Sequence, residues 1–315
     1  MAKTNWTAIG AGAAAVGAGL ALFSQWQGKR AERQVPADGK FLDVDGARLH
    51  YLDVGEGPAI VMIHGLGGQL RNFTYALSDR LPGHRLVIID RPRSGYSTVP
   101  AGVEPGLKDQ ADAIAQAIDA LGLKRPLLVG HSLGGAISLS LALDRPGLVS
   151  ALALIAPLTQ PQTEVPAAFR GLAAGGASKI SRTLVANLLA VPVGTLTREQ
   201  SAKAVFAPEP VPADFAVKGG GLLALRPGNV YAAIFEMQAA ADEMAGIAAR
   251  YGELQLPVSV LYAREDNILG YQLHGEQTVG EITGARLELT DGGHMLPITQ
   301  PELTAAFIQR ARTAR

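Results

Sequence analysis

Residues 130–134 read Gly-His-Ser-Leu-Gly and stand between a short apolar run at 126–129 (PLLV) and a helical pattern at 132–143. This is how a strand that turns sharply into a helix is written. A serine at the tip of such a turn is pressed against neighbouring backbone, so the positions two before and two after it must be small. Both are glycine here, and Gly135 carries the allowance into the first helical turn. A strand that runs directly into a helix belongs to a parallel sheet with helices on its faces, which commits the middle of the chain to that layout.

The flanking sequence repeats the rhythm. Strand patterns fall at 47–53, 59–63 (AIVMI), 85–89 (RLVII), 151–155, 258–262 and 285–289, with helical spacing at 69–81, 108–121 and 302–312. The expected class is α/β, a mostly parallel doubly wound sheet, with a core formed by residues 41–157 and 255–315. Residues 158–254 show no strand pattern and are Ala/Leu-rich, interrupted by prolines from Pro161 to Pro227. So long a stretch is no loop. It reads as a helical lid over the C-terminal edge of the sheet, where open α/β folds bind ligands.

The first forty residues read differently. Residues 8–23 (AIGAGAAAVGAGLALF) carry no charge, and the two tryptophans of the chain, Trp6 and Trp26, bracket them. The stretch between the tryptophans spans about 28 Å as a helix at 1.5 Å per residue, close to a hydrocarbon core. Residues 6–26 are therefore expected to anchor the chain in a membrane; a cleaved signal peptide and a packing tail are the competing readings. Lys29, Arg30 and Arg33 follow the segment while Lys3 precedes it, an asymmetry that mildly favours a cytoplasmic catalytic domain. Residues 29–40 read as a linker.

Composition narrows the chemistry. The chain has 28 basic and 28 acidic side chains and no cysteine. The balance gives no support to nucleic-acid binding, and disulfide, thiolate and Cys-ligated metal chemistry are excluded. There is no HExxH, no metal-spaced histidine pair and no phosphate-binding glycine loop, so neither a metal nor an organic cofactor is expected. A serine raised on a turn at a helix N-terminus suits nucleophilic attack, with the Leu133 N–H available to a developing oxyanion.

From this turn outward the chain resembles the α/β-hydrolase superfamily, in its serine-nucleophile, esterase- and lipase-like members with a helical lid. The resemblance covers roughly residues 41–311. His64-Gly65-Leu66-Gly67-Gly68 after the AIVMI strand looks like the family's oxyanion loop, which implies that the Leu66 N–H is the second oxyanion donor. Asp90-Arg91-Pro92-Arg93-Ser94-Gly95-Tyr96-Ser97 resembles the family's D-R-P-G-x-G-x-S stretch, with Arg93 where a glycine is usual. That places a guanidinium near the pocket mouth or simply in a surface turn.

The family order is serine, acid, histidine. Two histidines lie downstream of Ser132. His294, in Asp291-Gly292-Gly293-His294, is similar to the family's histidine loop and is the expected base. His274 reads as a solvent-facing or packing residue, and His64 and His131 read as structural. For the acid, the turn after the VSVLY strand implies Asp266, with Glu265 as the neighbouring alternative and Asp291 disfavoured by its closeness to His294. Dehalogenases and epoxide hydrolases of this outline carry aspartate as nucleophile, so Ser132 implies a carbonyl substrate. Ester hydrolysis of an apolar small molecule is the expected activity. C–C bond hydrolysis of ring-cleavage products, amide hydrolysis, perhydrolysis and acyl transfer to an alcohol stay open, as does a non-catalytic binding protein of this fold.

Overall fold

The structure is a computed structural model and describes residues 6–313 apart from 163, 174 and 177, with side chains described from residue 10 to residue 312. A 29-residue helix, α1 (Trp6–Gln34), leads into β1 (Lys40–Val44) and β2 (Ala47–Val54). There follow β3 (Ala59–Ile63), β4 (Arg85–Ile89), α2 (Leu107–Ala120), β5 (Leu127–His131), α3 (Leu133–Asp144) and β6 (Ala151–Ile155). A helical insertion comes next. It contains α4 (Lys179–Phe206), which includes a π-helical turn at Val185–Ala190, and α5 (Pro227–Ala248). The chain then returns to the sheet through β7 (Val258–Ala263) and β8 (Arg286–Thr290) and closes with α6 (Pro301–Thr313).

The eight strands are ordered β1-β2-β4-β3-β5-β6-β7-β8. β1 and β2 are antiparallel; every pairing from β4 to β8 is parallel. Every residue of the central strands β5, β6 and β7 is buried, because helices cover both faces of a parallel sheet and each must be apolar. One face packs Val61, Leu128 and Leu154 against Ile114 and Ile118 of α2 and Ile137 and Leu141 of α3. The other packs Met62, Val129 and Ile155 against Phe73 and against Phe307 and Ile308 of α6. The doubly wound class with an inserted helical layer is what the sequence implied.

Three elements differ from the sequence reading. β1 was not expected; its KFLDV sequence is half polar because it lies at the sheet edge, paired only to β2. The helix expected at 69–81 is broken into Arg71–Thr74 and a 3-10 turn at Ser78–Arg80. The stretch expected as a linker continues α1 to Gln34. Its residues KRAERQ are good helix formers, and Ala31 and Val35 are buried against Leu223 of the insertion. At the N-terminus, residues 1–5, Lys3 among them, and the side chains of residues 6–9 lie outside the described residues. The helix among the described residues that is long and apolar enough to cross a membrane, by length and composition, is internal: Lys179–Phe206.

Candidate active site

Strand order alone brings the four expected loops to one edge. Ser132 follows β5 and Leu66 follows β3, its neighbour; Asp266 follows β7 and His294 follows β8, another adjacent pair. Ser132 has φ 54° and ψ −122°, a conformation that costs roughly 1–3 kcal/mol and persists only where the surroundings enforce it. The enforcement is visible. The Ser132 N–H donates to the Ile155 carbonyl (3.1 Å), and its carbonyl accepts from the N–H groups of Gly135 (2.8 Å) and Leu158 (2.9 Å). A Cβ at Gly65 would lie 2.7 Å from the Ser132 Cβ, and one at Gly134 would strike the Ile63 carbonyl. These two glycines let the β3 loop close on the serine. Helix α3 begins at Leu133, whose N–H is one of those a helix start leaves without an internal partner.

His294 Nδ1 donates to Asp266 Oδ2 at 2.7 Å, both side chains buried. The other carboxylate oxygen accepts the N–H groups of Ile268 (2.8 Å) and Leu269 (3.0 Å). Burial pushes the Asp266 carboxyl up, but the facing His294, the bond to it and the two amides outweigh burial and hold it below its usual value. His131 Nε2 donates to the His294 carbonyl (3.0 Å), and the two rings stand 4.9 Å apart. This ties the β8 loop to the turn that carries Ser132. Burial, then the neighbouring His294, lowers the His131 pKa to about 3, so it stays neutral beside its neighbour. Glu265, the alternative acid, faces away, its carboxylate accepting the Gly292 N–H at 2.5 Å. Asp291 is exposed and pairs with Arg264 (3.2 Å).

The remaining buried histidines are held by other bonds. His64 Nδ1 donates to the Gly65 carbonyl (2.9 Å) while Nε2 accepts the Arg91 N–H (3.1 Å); burial, then the Arg91 charge, keeps it well below the ordinary histidine range. His274 is not solvent-facing. It is buried, and Nδ1 accepts the N–H groups of Thr159 (3.3 Å) and Gln160 (3.2 Å), fixing the start of the insertion to the helical turn at Gln272–Gln277. His50 forms a second buried pair with Asp90, 2.7 Å apart, which the sequence did not signal. Its Nε2 is taken by the Gly39 N–H (3.0 Å), which leaves no free base there.

The sequence also gave no sign of what holds the β3 loop. The Arg91 guanidinium is wholly buried and donates to the carbonyls of His64 and Gly65, each at 3.0 Å. Its counter-charge comes from Glu236 on α5, through bonds of 2.6 and 3.0 Å, with Gln110 of α2 adding a third acceptor at 2.5 Å. The Gly65–Leu66 peptide is planar and trans, so fixing the Gly65 carbonyl also fixes the opposite direction in which the Leu66 N–H points. Arg93 takes φ 66°, where a glycine is unstrained, and lies over the Tyr231 ring of α5 at 5.0 Å while bonding the Val103 carbonyl.

Ser132, Leu66 and Leu133 open onto a cavity of about 120 Å³. Its walls are apolar, from Leu158, Val165 and Phe169, Met237 and Met244 of α5, and Ile268, with Glu236 among the polar exceptions. The slot is partly open, and the insertion forms much of its wall. A roomier hollow of about 470 Å³, bordered by Pro257, Val258 and Arg286, lies at the opposite ends of the strands and does not reach Ser132.

Residues 58–301 match the family model described as alpha/beta hydrolase fold. A dihydrolipoyllysine-residue acetyltransferase component of an acetoin cleaving system from Cupriavidus necator is 35% identical over 128 residues, which are 40% of this chain and 34% of that protein. The chain spans less than half the length of the first curated relatives it matches. Among solved structures, an esterase from Exiguobacterium antarcticum superposes with a TM-score of 0.66 at 23% identity, over 87% of this chain and 100% of that one. A membrane phospholipase A described as a bacterial virulence factor does so with a TM-score of 0.66 at 21% identity, over 98% of this chain and 96% of that one. At these identities the likeness to the solved structures is one of fold.

Proposed function

The chain belongs to the α/β-hydrolase fold family, and from that premise we propose that it is a serine hydrolase that cleaves the carboxylic ester of a lipophilic small molecule. Ser132 is the nucleophile, His294 the base and Asp266 the residue that orients it. What carries the reading is the 2.7 Å bond between Asp266 and His294 beside the turn that raises Ser132, on the wall of an apolar cavity. With Nδ1 donating to the carboxylate, Nε2 is left to take the serine proton. The Ser132 oxygen then attacks the ester carbon, and the amides of Leu66 and Leu133 receive the negative oxygen. The alcohol departs with the proton held by His294, and water activated by the same imidazole releases the acid. None of these steps calls on a metal or cofactor.

The same reading has the chain anchored in a membrane through residues 6–26. Val16, Leu22 and Trp26 are 65%, 71% and 49% exposed, and Lys29, Arg30 and Arg33 follow on the exposed side of α1, suited to an anionic headgroup layer.

The test is a panel of p-nitrophenyl esters of increasing chain length, run beside a ring-cleavage dienoate and an amide, with fluorophosphonate labelling of the same samples. Expected are labelling that Ser132→Ala abolishes and the fastest turnover on an ester of medium or long acyl chain. Rapid dienoate cleavage with negligible ester turnover would overturn the substrate class and spare the nucleophile. Labelling that survives Ser132→Ala would overturn both.

A further inference from the structure

Helix α4 is apolar on two sides. Its inner side buries Ala186 and Val191 against Val230 and Ile234 of α5, and Arg182 there pairs with Glu104 at 2.8 Å. Its outer side carries Ile180, Leu184, Leu189, Val193 and Leu196, exposed by 74%, 51%, 56%, 54% and 87%. The spacings are four, five, four and three. The spacing of five falls across the π-helical turn at Val185–Ala190, where each turn holds more residues than in an α-helix. The turn therefore keeps the five side chains on one stripe. Single exposed apolar residues are ordinary, but a continuous row marks a contact surface.

Helix α4 is bonded to α1 just past the apolar part of α1. Ser24 Oγ donates to the Asn187 carbonyl (2.6 Å), Gln25 bonds the Asn187 side chain (3.0 Å) and Gln27 bonds Thr195 (3.2 Å). Ser24 directly follows the uncharged segment that ends at Phe23. If that segment enters a bilayer, Asn187 sits at its boundary and the outer stripe of α4 lies along the surface. We propose that this stripe is a bilayer-docking face, lying flat in the interface beside the anchor, with acyl chains against Leu184, Leu189 and Leu196 and anionic headgroups against Lys29, Arg30 and Arg33. Spanning is excluded for α4 by its inner side, because leaving the fold would strip Arg182 from Glu104. A bilayer covers the start of α1 and the stripe of α4 at once. The cavity wall at Ala167–Phe169 packs against α4, so a docked lid sets the slot next to the lipid and the ester arrives from the membrane. This inference rests on the anchor reading given above.

The chain has no cysteine, so single cysteines report position cleanly. The full chain carrying Phe23→Cys, Leu196→Cys or Gln309→Cys is labelled with an environment-sensitive fluorophore and reconstituted in phosphatidylethanolamine–phosphatidylglycerol vesicles with a nitroxide on the acyl chains. Gln309 is exposed on α6, which covers the far face of the sheet. Quenching at 23 and 196 and none at 309 is expected. Quenching at 23 with 196 as unquenched as 309 overturns the docking face and leaves the anchor standing. Quenching at none of the three overturns the anchor and the docking face with it. Shielding at 196 that appears without nitroxide and grows with protein concentration assigns the stripe to a second copy of the chain and also overturns the proposal. In a parallel assay, Leu184→Gln with Leu189→Gln and Leu196→Gln should lower the ratio of vesicle-borne to water-soluble ester turnover by about tenfold or more, the scale set by losing one buried leucine. An unchanged ratio contradicts it.

Discussion

Glu236 holds the β3 loop at a distance, through a buried arginine. Removing its charge with Glu236→Gln leaves the Arg91 guanidinium uncompensated in the interior, which costs about 3–5 kcal/mol of stability, to be read from urea unfolding. Replacing both partners with methionine removes the lone charge and should restore most of that loss, while turnover stays low because the Gly65 carbonyl has lost its strongest donor. Full activity in the double variant would show that the guanidinium has no part in aiming the Leu66 amide. At the acid, Asp266→Asn keeps the shape and inverts the hydrogen bonding to His294, so kcat is expected to fall about 10⁴-fold with the fold intact; near-normal turnover would return the role to another carboxylate. The residues of this site were unequally legible. Ser132, Asp266 and His294 each follow a strand within a few positions, so local pattern finds them. Arg91 and Glu236 are 145 positions apart, and nothing local marks either as half of a pair.

Between elements, the approach of the β3 loop to the nucleophile turn depends on the missing side chain at Gly65. Gly65→Ala places a methyl group 2.7 Å from the Ser132 Cβ, so loop and turn must separate. The expected result is a loss of about 10²- to 10³-fold in kcat, as for removal of one oxyanion donor, with an unchanged circular dichroism spectrum. Wild-type turnover would mean that the loop supplies no donor. The alternation of strands and helices was plain in the sequence because central parallel strands are uniformly apolar. What escaped was set by tertiary context. Around the broken helix expected at 69–81, Gln69 and Asn72 direct their side chains to the Gly219 carbonyl of the insertion (2.9 and 3.1 Å) and Tyr75 bonds Asp214 (2.6 Å), partners that lie far off in sequence. The π-helical turn in α4 leaves no mark in local sequence either, since its residues VANLLA suit an ordinary helix equally well.

For the molecule as a whole, three buried histidines tie stability to pH. Burial is the first cause at each: it holds His64 well below the ordinary value of 6.5, His131 at about 3 and His274 at about 4. The unfolded chain takes up these protons first, so stability is full above 6.5 and falls as pH drops through the window from 6.5 to about 4. The slope is about 1.4 kcal/mol per unit for each histidine still neutral in the fold. Asp266, whose carboxyl is lowered, adds its loss only below its unfolded value of 3.8. Melting temperature should therefore be flat between about pH 7 and about pH 9 and decline as pH falls from 6.5, before the carboxylates titrate. A melting temperature unchanged down to pH 4 would contradict these burials.

The most direct test of the central claim, that Ser132 carries the acyl group during turnover, is rapid acid quench of the enzyme with a p-nitrophenyl ester followed by peptide mass mapping. Expected is an added acyl mass on the peptide containing Ser132, present within the burst of p-nitrophenol release and absent from Ser132→Ala, which should also be inactive. Steady turnover with no acylated peptide, or an acyl group mapped to any other residue, would contradict it.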